Sequence, residues 1–446
     1  MRGALTRAQR SVPPRDWLGV VQAAALGLVL AAYALICSSL SNRAHSTDFI
    51  RFFSSAQLLR AGESLYTPPR IEAIDQARST HGAASQTLHP NLNTPVLALL
   101  VVPLTFAGPA QGYAIWTALS LVAGLCACAL VWRGLRPPGQ GASGLLWLWL
   151  AFLVYFPTYA SFVLGQVTAG LFLLLAGAWL AARNGRDRLA GVLLGAAVSV
   201  KLFAALLLVC FVLQGRWRVA AWSIGAGLCA ALATLPFAGL AAWREYFGVI
   251  RTVTWFGNSW NASYASFITR ILGGTENAPL VDAPALGRAI VALCSAVTLL
   301  WMARLTRLAS VEAKGETPMA RAAGFDLGYG LTLAVMLLVS PLGWMYYFPV
   351  LLLPGYAVWL LTRGGRMRLL RLGLLAAWGL SAVPATMVQA MDANEPIGWF
   401  TSNSRYFYAL VVFAAVLGAA AARAPGPRAA RVALTADPAP GAGATG

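Results

Sequence analysis

The segment NRAHSTDFIRFFSSAQLLRAGESLYTPPRIEAIDQARSTHGAASQTLHPNLN, Asn42 to Asn93, separates two apolar runs, Trp17–Leu40 and Leu92–Phe106. The first run is long enough to cross a bilayer. No small-residue cleavage site precedes the polar stretch, so the run reads as a retained helix and not as a removed signal peptide. All three histidines (His45, His81, His89) fall between Asn42 and Asn93, with Asp48, Glu63, Glu72 and Asp75 out of fifteen acidic residues. A chain this apolar keeps few titratable groups outside its loops, which makes the segment the first place to look for chemistry.

Within it, Ser46-Thr47-Asp48 is a helix N-cap cluster. Phe49, Phe52, Phe53, Ala56 and Leu59 follow at helical spacing, and Gly62 stops the helix. Asp48, Arg51 and Ser55 share the opposite face. The pattern predicts an amphipathic helix lying on the outer membrane surface. Tyr66-Thr67-Pro68-Pro69 is a turn, and Pro69 can open a second short helix through Gln76.

The remaining chain is a series of apolar runs. Of 446 residues, 59% are hydrophobic and 11% charged, against roughly 45–50% apolar content in soluble domains. The fold class is therefore an all-α polytopic membrane protein, with about twelve spans. The net charge of +18 raises a nucleic-acid reading. The arginines, however, sit in short clusters between apolar runs (Arg133/Arg136, Arg183–Arg188, Arg216/Arg218, Arg304–Arg321, Arg363–Arg371, Arg423–Arg431), where the positive-inside rule puts them, and no nucleic-acid partner is expected. Arg2, Arg7, Arg10 and Arg15 place the N-terminus in the cytoplasm, so residues 41–92 face outward. Further outer loops are expected at Tyr159–Gly165, Ala241–Pro284, Ser340–Trp344 and Gln389–Asn403, with Ala241–Ile271 a second interfacial segment. A single membrane domain over 1–423 precedes a Pro/Ala/Gly tail, 424–446, of disordered composition. Two runs break simple alternation: Leu92–Phe106 is short, and Leu189–Leu213 lies between two basic clusters with Lys201 in its middle. Either reads as a pair of short helices or as a re-entrant segment.

The six cysteines lie inside apolar runs, so a disulfide framework is not expected. Cys126 and Cys128 read as small core residues. The histidine separations match no metal-ligand signature, so no metal and no cofactor is expected. Walker-type and HExxH motifs are absent from the sequence.

Several polar residues stand out. Asp48, just beyond the first span, reads as an N-cap or as a base for a hydroxyl at the membrane boundary. Lys201 is one of two lysines in the chain and interrupts an otherwise apolar run. A buried ammonium is costly, and it reads as a contact to a lipid phosphate, as a snorkelling side chain, or as half of an ion pair. His89, in His89-Pro90-Asn91, sits at a Pro-directed helix start and is a candidate for binding phosphate or orienting an acceptor. Gln166 opens a span at the outer boundary. Asn261 and Arg270 bring an amide and a guanidinium into the second outer loop, and Asn261-Ala262-Ser263 fits an N-glycosylation acceptor pattern.

In order and spacing, these pieces resemble glycosyltransferase family 87, the polyprenol-phosphate-mannose-dependent α-mannosyltransferases of the GT-C superfamily. The resemblance is carried by Asp48 with Gly62…Leu65-Tyr66-Thr67-Pro68, His89-Pro90-Asn91…Pro95…Pro103-Leu104, Gly165-Gln166-Val167, Leu189-Ala190-Gly191…Gly195…Lys201, Asn261…Ser263…Arg270 and Ser340-Pro341…Trp344, over about Asp48 to Leu361. It implies a GT-C-like fold and a catalytic base at Asp48. Lys201, His89, Arg51 and Arg270 become candidates for the donor phosphate, and Gln166 and Asn261 for substrate. The donor implied is a polyprenyl-phosphate sugar and the acceptor a glycolipid or glycan, with inversion at the anomeric carbon, in a bacterial inner membrane. The competing class is a transporter or flippase of a lipid-linked or small polar substrate, whose charged site would sit near the bilayer midplane. A surface-glycan ligase or polymerase would share the lipid-phosphate chemistry but calls for a larger late outer loop.

Overall fold

The computed structural model describes residues 17–41, 47–66, 91–137, 141–254, 256–273, 279–312, 318–363, 367–384 and 396–423. The expected helix at 69–76, the tail at 424–446 and all three histidines lie outside them. Among the described residues the chain is helical, and its one β-bridge pairs Asn261 with Trp344. The helices in order are α1 (Trp17–Ser41), α2 (Phe49–Arg60), α3 (Pro95–Val101), α4 (Pro109–Leu135), α5 (Ser143–Val154), α6 (Phe156–Val163), α7 (Thr168–Arg183), α8 (Asp187–Val200), α9 (Leu206–Leu213), α10 (Trp217–Ile250), α11 (Tyr264–Leu272), α12 (Pro284–Glu312), α13 (Pro318–Val339), α14 (Leu352–Leu361), α15 (Arg368–Ala382) and α16 (Pro396–Ala422).

Six helices in the described residues are long and apolar enough to cross a membrane, and seven if α5 and α6, bent by 60°, count as one span. The expectation of about twelve counted apolar runs, of which Leu92–Phe106 and Leu189–Leu213 also read as pairs of short helices or re-entrant segments. Several runs instead form shorter helices, interrupted at Pro103, at Phe156-Pro157, at Lys201 and at Pro349. Proline removes a backbone donor and crowds the preceding turn, which breaks a run that hydropathy alone reads as continuous. Helices α13 and α16 are largely enclosed by protein. Helices α1, α10 and α12 are mostly exposed and present their apolar sides outward.

Two expected outer loops are partly helical. Residues 156–163 form α6, and α10 continues through Ile250 past Pro236 and Gly239, whose backbone leaves the helical region (φ 66°, ψ 176°). Helix α2 has the bounds its pattern predicts, and Gly62 takes φ +71° at its end. It does not, however, lie on a surface. Ile50, Ser55 and Leu58 are buried along with the predicted apolar face, because α3 and the 3₁₀ turn Val102–Phe106 pack over it. All six cysteines are free, but only Cys128 of the Cys126/Cys128 pair is core, Cys126 being exposed.

The run around Lys201 resolves into two helices. Helix α8 rises from the arginine-rich end, breaks at Lys201 (φ −140°, ψ 106°), and α9 descends to Arg216, which pairs with Asp187 at the start of α8. Fourteen residues of α8 reach about 21 Å at 1.5 Å per residue, short of the roughly 30 Å hydrocarbon thickness. Helix α8 packs closely on α10 through glycines. A Cβ on Gly195 would stand 2.5 Å from the Ser223 carbonyl oxygen, whereas one on Gly225 meets nothing within 4 Å. Replacing Gly195 with Ala is expected to destabilise the protein by about 1–3 kcal/mol through overpacking. Gly225→Ala should be neutral or slightly stabilising because alanine is the better helix former. Thermal unfolding in detergent compares the two, and equal melting temperatures would contradict the packing.

Candidate functional site

The polar residues singled out above converge because four helices end at one place. Helix α7 starts beside Gln166 and runs to Arg183, and α8 runs from Asp187 to Lys201. Helix α10 runs from the Arg216/Arg218 cluster to Ile250, and α13 runs from near Arg321 to Val339. Their ends away from the arginines, together with the start of α2, enclose a cavity of about 740 Å³. Asp48, Arg51, Asn93, Gln166, Lys201, Tyr346 and Tyr347 line its polar side. Leu202, Leu206, Ile250, Val253, Met336 and Val339 line an apolar side.

Asp48 occupies the N-cap position of α2, but its side chain makes no cap hydrogen bond. Its Oδ2 accepts from Gln166 Nε2 at 2.7 Å, and its Oδ1 lies 3.1 Å from Arg51 Nη1. The amide is aimed by Gly165, which sits at φ +65° and whose place no Cβ can take, since one would fall 2.7 Å from Phe49 Cβ. Phe49 N donates to Leu164 O at 3.1 Å and fastens the start of α2 to the same turn. The carboxylate is about one-fifth exposed, into the cavity.

Lys201 has no carboxylate partner among the described residues. Its Nζ donates to Asn93 Oδ1 at 2.7 Å and lies 5.9 Å from the centre of the Tyr347 ring. Asn93 Nδ2 in turn donates to Asn91 Oδ1 (2.9 Å), and Asn91 Nδ2 to Ser55 Oγ (2.7 Å). Thr94 Oγ1 bonds Ser199 O at 2.6 Å, next to the helix break. Tyr66 donates to Asn93 O at 2.6 Å, and burial pushes its phenol pKa well above the usual value. The ammonium is therefore solvated by an amide and an aromatic face and not neutralised, which leaves its positive charge to whatever enters the cavity. A polar acceptor and a ring are a modest substitute for water around a buried cation.

Two predicted site residues are placed elsewhere. Asn261 and Arg270 do not line the cavity. Asn261 is fully buried; its Nδ2 donates to Phe256 O and Pro341 O (3.1 and 2.8 Å), and its Oδ1 accepts from Ser263 N. It joins the loop at 256–263 to the turn at 340–345, and that burial leaves no room for a glycan on its amide. Arg270 is 1% exposed and donates to Gly257 O, Asn258 O, Ser266 Oγ and Ser404 Oγ. Burial lowers its pKa to about 10, so it stays charged at neutral pH. Both residues brace the loop carrying Asn258, Ser259 and Trp260, which lines the cavity from behind. His89 lies outside the described residues. The sequence reading missed Tyr346 and Tyr347 as cavity residues and Asn93 as the holder of Lys201. The signal available was Tyr346-Tyr347 directly after the Ser340–Trp344 turn.

The model of glycosyltransferase family 87 matches residues 91–341, more than half of the chain. The chain belongs to that family and is a membrane glycosyltransferase. No curated protein matches it. Asp48 and Arg51 fall outside the matched residues, yet they stand in the same cavity as Asn93, Gln166 and Lys201 inside them. Because Arg270 braces a loop and does not line the cavity, Arg270→Gln is expected to lower stability by about 1–3 kcal/mol, the cost of leaving its buried neutral acceptors unsatisfied. Denaturant unfolding in detergent measures this, and an unchanged midpoint would remove the bracing role.

Proposed function

We propose that this member of glycosyltransferase family 87 moves a hexose, mannose by its resemblance, from a polyprenyl-phosphate sugar to a hydroxyl of a glycolipid or glycan acceptor. The observation that carries the proposal is the meeting of Asp48 and Lys201 in one cavity with an apolar flank. A phosphate-linked donor brings its own stable leaving group, so the protein must supply two things: a base for the acceptor and cations for the departing phosphate.

In this reading the acceptor hydroxyl gives its proton to the Asp48 carboxylate as its oxygen bonds to the anomeric carbon. The bond from that carbon to the phosphate oxygen breaks, and its electron pair leaves with the polyprenyl phosphate. Direct displacement inverts the anomeric centre. Lys201, with Arg51 beside Asp48, balances the charge that grows on the phosphate. Gln166 holds Oδ2 of Asp48 and Arg51 lies against Oδ1, and the substrate meets the carboxylate on its exposed part, which opens on the cavity. Leu202, Leu206, Ile250 and Val253 accommodate the first isoprene units. The clusters Arg183–Arg188, Arg216/Arg218 and Arg321 lie at the far ends of the helices that carry the cavity, which supports an outward-facing cavity by the positive-inside rule. That orientation, with a cytoplasmic N-terminus in a bacterial inner membrane, suits a GT-C-like enzyme acting on lipid-linked substrates. Family membership also favours transfer over the transporter alternative.

Asp48→Asn keeps the Gln166 contact geometry but cannot take a proton. Transfer from a polyprenyl-phosphate sugar, followed by mass spectrometry, is expected to fall about 10²–10⁴-fold with the melting temperature held. A purified Asp48→Asn protein with full activity would reject the base. Lys201→Met is expected to raise the donor KM about tenfold or more, the loss of a charged hydrogen bond. Unchanged donor affinity would return Lys201 to a structural role.

A further inference from the structure

Behind the cavity lies a second one of about 650 Å³. The two share a wall, the 3₁₀ segment Met345–Leu351, in which Tyr347 lines the first cavity and Phe348 the second. Its other sides are α5, α14, α15 and α16, and its surface is dominated by Trp147, Leu352, Trp359, Leu375, Trp378 and Phe413. At the deep end Tyr155 Oη and Ser381 Oγ are 2.7 Å apart and bond each other, and Trp378 stacks on the Tyr155 ring at 5.7 Å. That end offers no open polar group.

The opposite end is cationic. Arg363 lines the cavity just beyond α14 and is exposed. Arg371 lies 3.9 Å above the face of Trp359, which also lines it. Neither arginine has a carboxylate partner among the described residues, and no acidic residue lines the cavity. From Arg368 to Ser381, α15 extends about 20 Å along the groove at its helical rise, which covers the roughly 15 Å hydrocarbon depth of one leaflet.

We propose that this groove binds one acyl chain of an anionic phospholipid from the leaflet on the arginine side, with the lipid phosphate on Arg363 and Arg371. Each feature has a counterpart in such a lipid: an apolar channel of leaflet depth for the chain, and two cations without carboxylate partners for the phosphodiester, Arg363 lining the channel and Arg371 stacked on its Trp359 wall. A lipid with its headgroup at the other membrane face would have to bury that group against the closed Tyr155–Ser381 pair. This site is separate from the transfer cavity and does not rest on the reaction proposed there.

Native mass spectrometry of the full chain in mild detergent, with phosphatidylglycerol or phosphatidylcholine added, tests the site. The expected result is one retained phosphatidylglycerol and much weaker retention of phosphatidylcholine. Arg363→Gln and Arg371→Gln should each lower phosphatidylglycerol occupancy about fivefold and leave phosphatidylcholine unchanged. Leu375→Trp fills the groove without touching the arginines and should displace the lipid as well. Equal retention of the two lipids overturns the proposal, as does unchanged phosphatidylglycerol occupancy in the double arginine variant. Should Leu375→Trp not fold by size-exclusion chromatography, the arginine variants, altered where α14 ends and α15 begins, decide the matter alone.

Discussion

An ammonium cannot sit in an apolar run without something to solvate it, and that requirement organises the centre of this protein. The partner Lys201 finds is the Asn93 amide, 2.7 Å away and far distant in sequence. To make that contact, the helix must break at Lys201, and the segment at 91–94 must be held against the break, which Thr94 does through Ser199 O. Asn91 and Ser55 extend the chain of amides to α2, and α2 presents Asp48. A single charge placed in the wrong solvent thus adds a polar seam to three stretches that apolar packing of α2 under α3 also holds together. The arrangement is net costly for folding, which is the usual state of affairs at a site that has to act on something else.

Legibility in the sequence followed the range of the interactions. Helix α2 was readable to its ends, because its periodic phenylalanines and its terminal glycine are local signals. Lys201 was readable as an anomaly, because a charge in an apolar run is visible without knowing its neighbours. Asp48 was readable as a cap or as a base, and only the fold reveals that its oxygens meet Gln166 and Arg51 in a cavity and not the backbone N–H groups of α2. Arg270 and Asn261 misled for the converse reason. An arginine and an asparagine in an outer loop look available for substrate, and only the fold reveals that both are buried and turned onto loop carbonyls and serine hydroxyls. The helical continuation of α10 to Ile250 was hidden by aromatic residues that read as an interfacial loop.

The division of the site between matched and unmatched sequence follows the same logic. The family match begins at residue 91 and includes the cation, its amide and the glutamine. The carboxylate lies before it, on a helix attached through Phe49 N to Leu164 O and through Ser55 to Asn91. The acid is therefore positioned jointly by the turn at Gly165 and by the α2 residues that lean on it, Phe49, Arg51 and Ser55.

The pairing of Asp187 with Arg216 closes α8 and α9 into a hairpin whose two feet lie at one end of the helix bundle. Between Leu189 and Gly215 that hairpin carries a single charge, Lys201 at its tip. The tip therefore depends for its polar partner on an asparagine synthesised more than a hundred residues earlier, so the hairpin can close on α2 and its neighbours only after that upstream segment is in place.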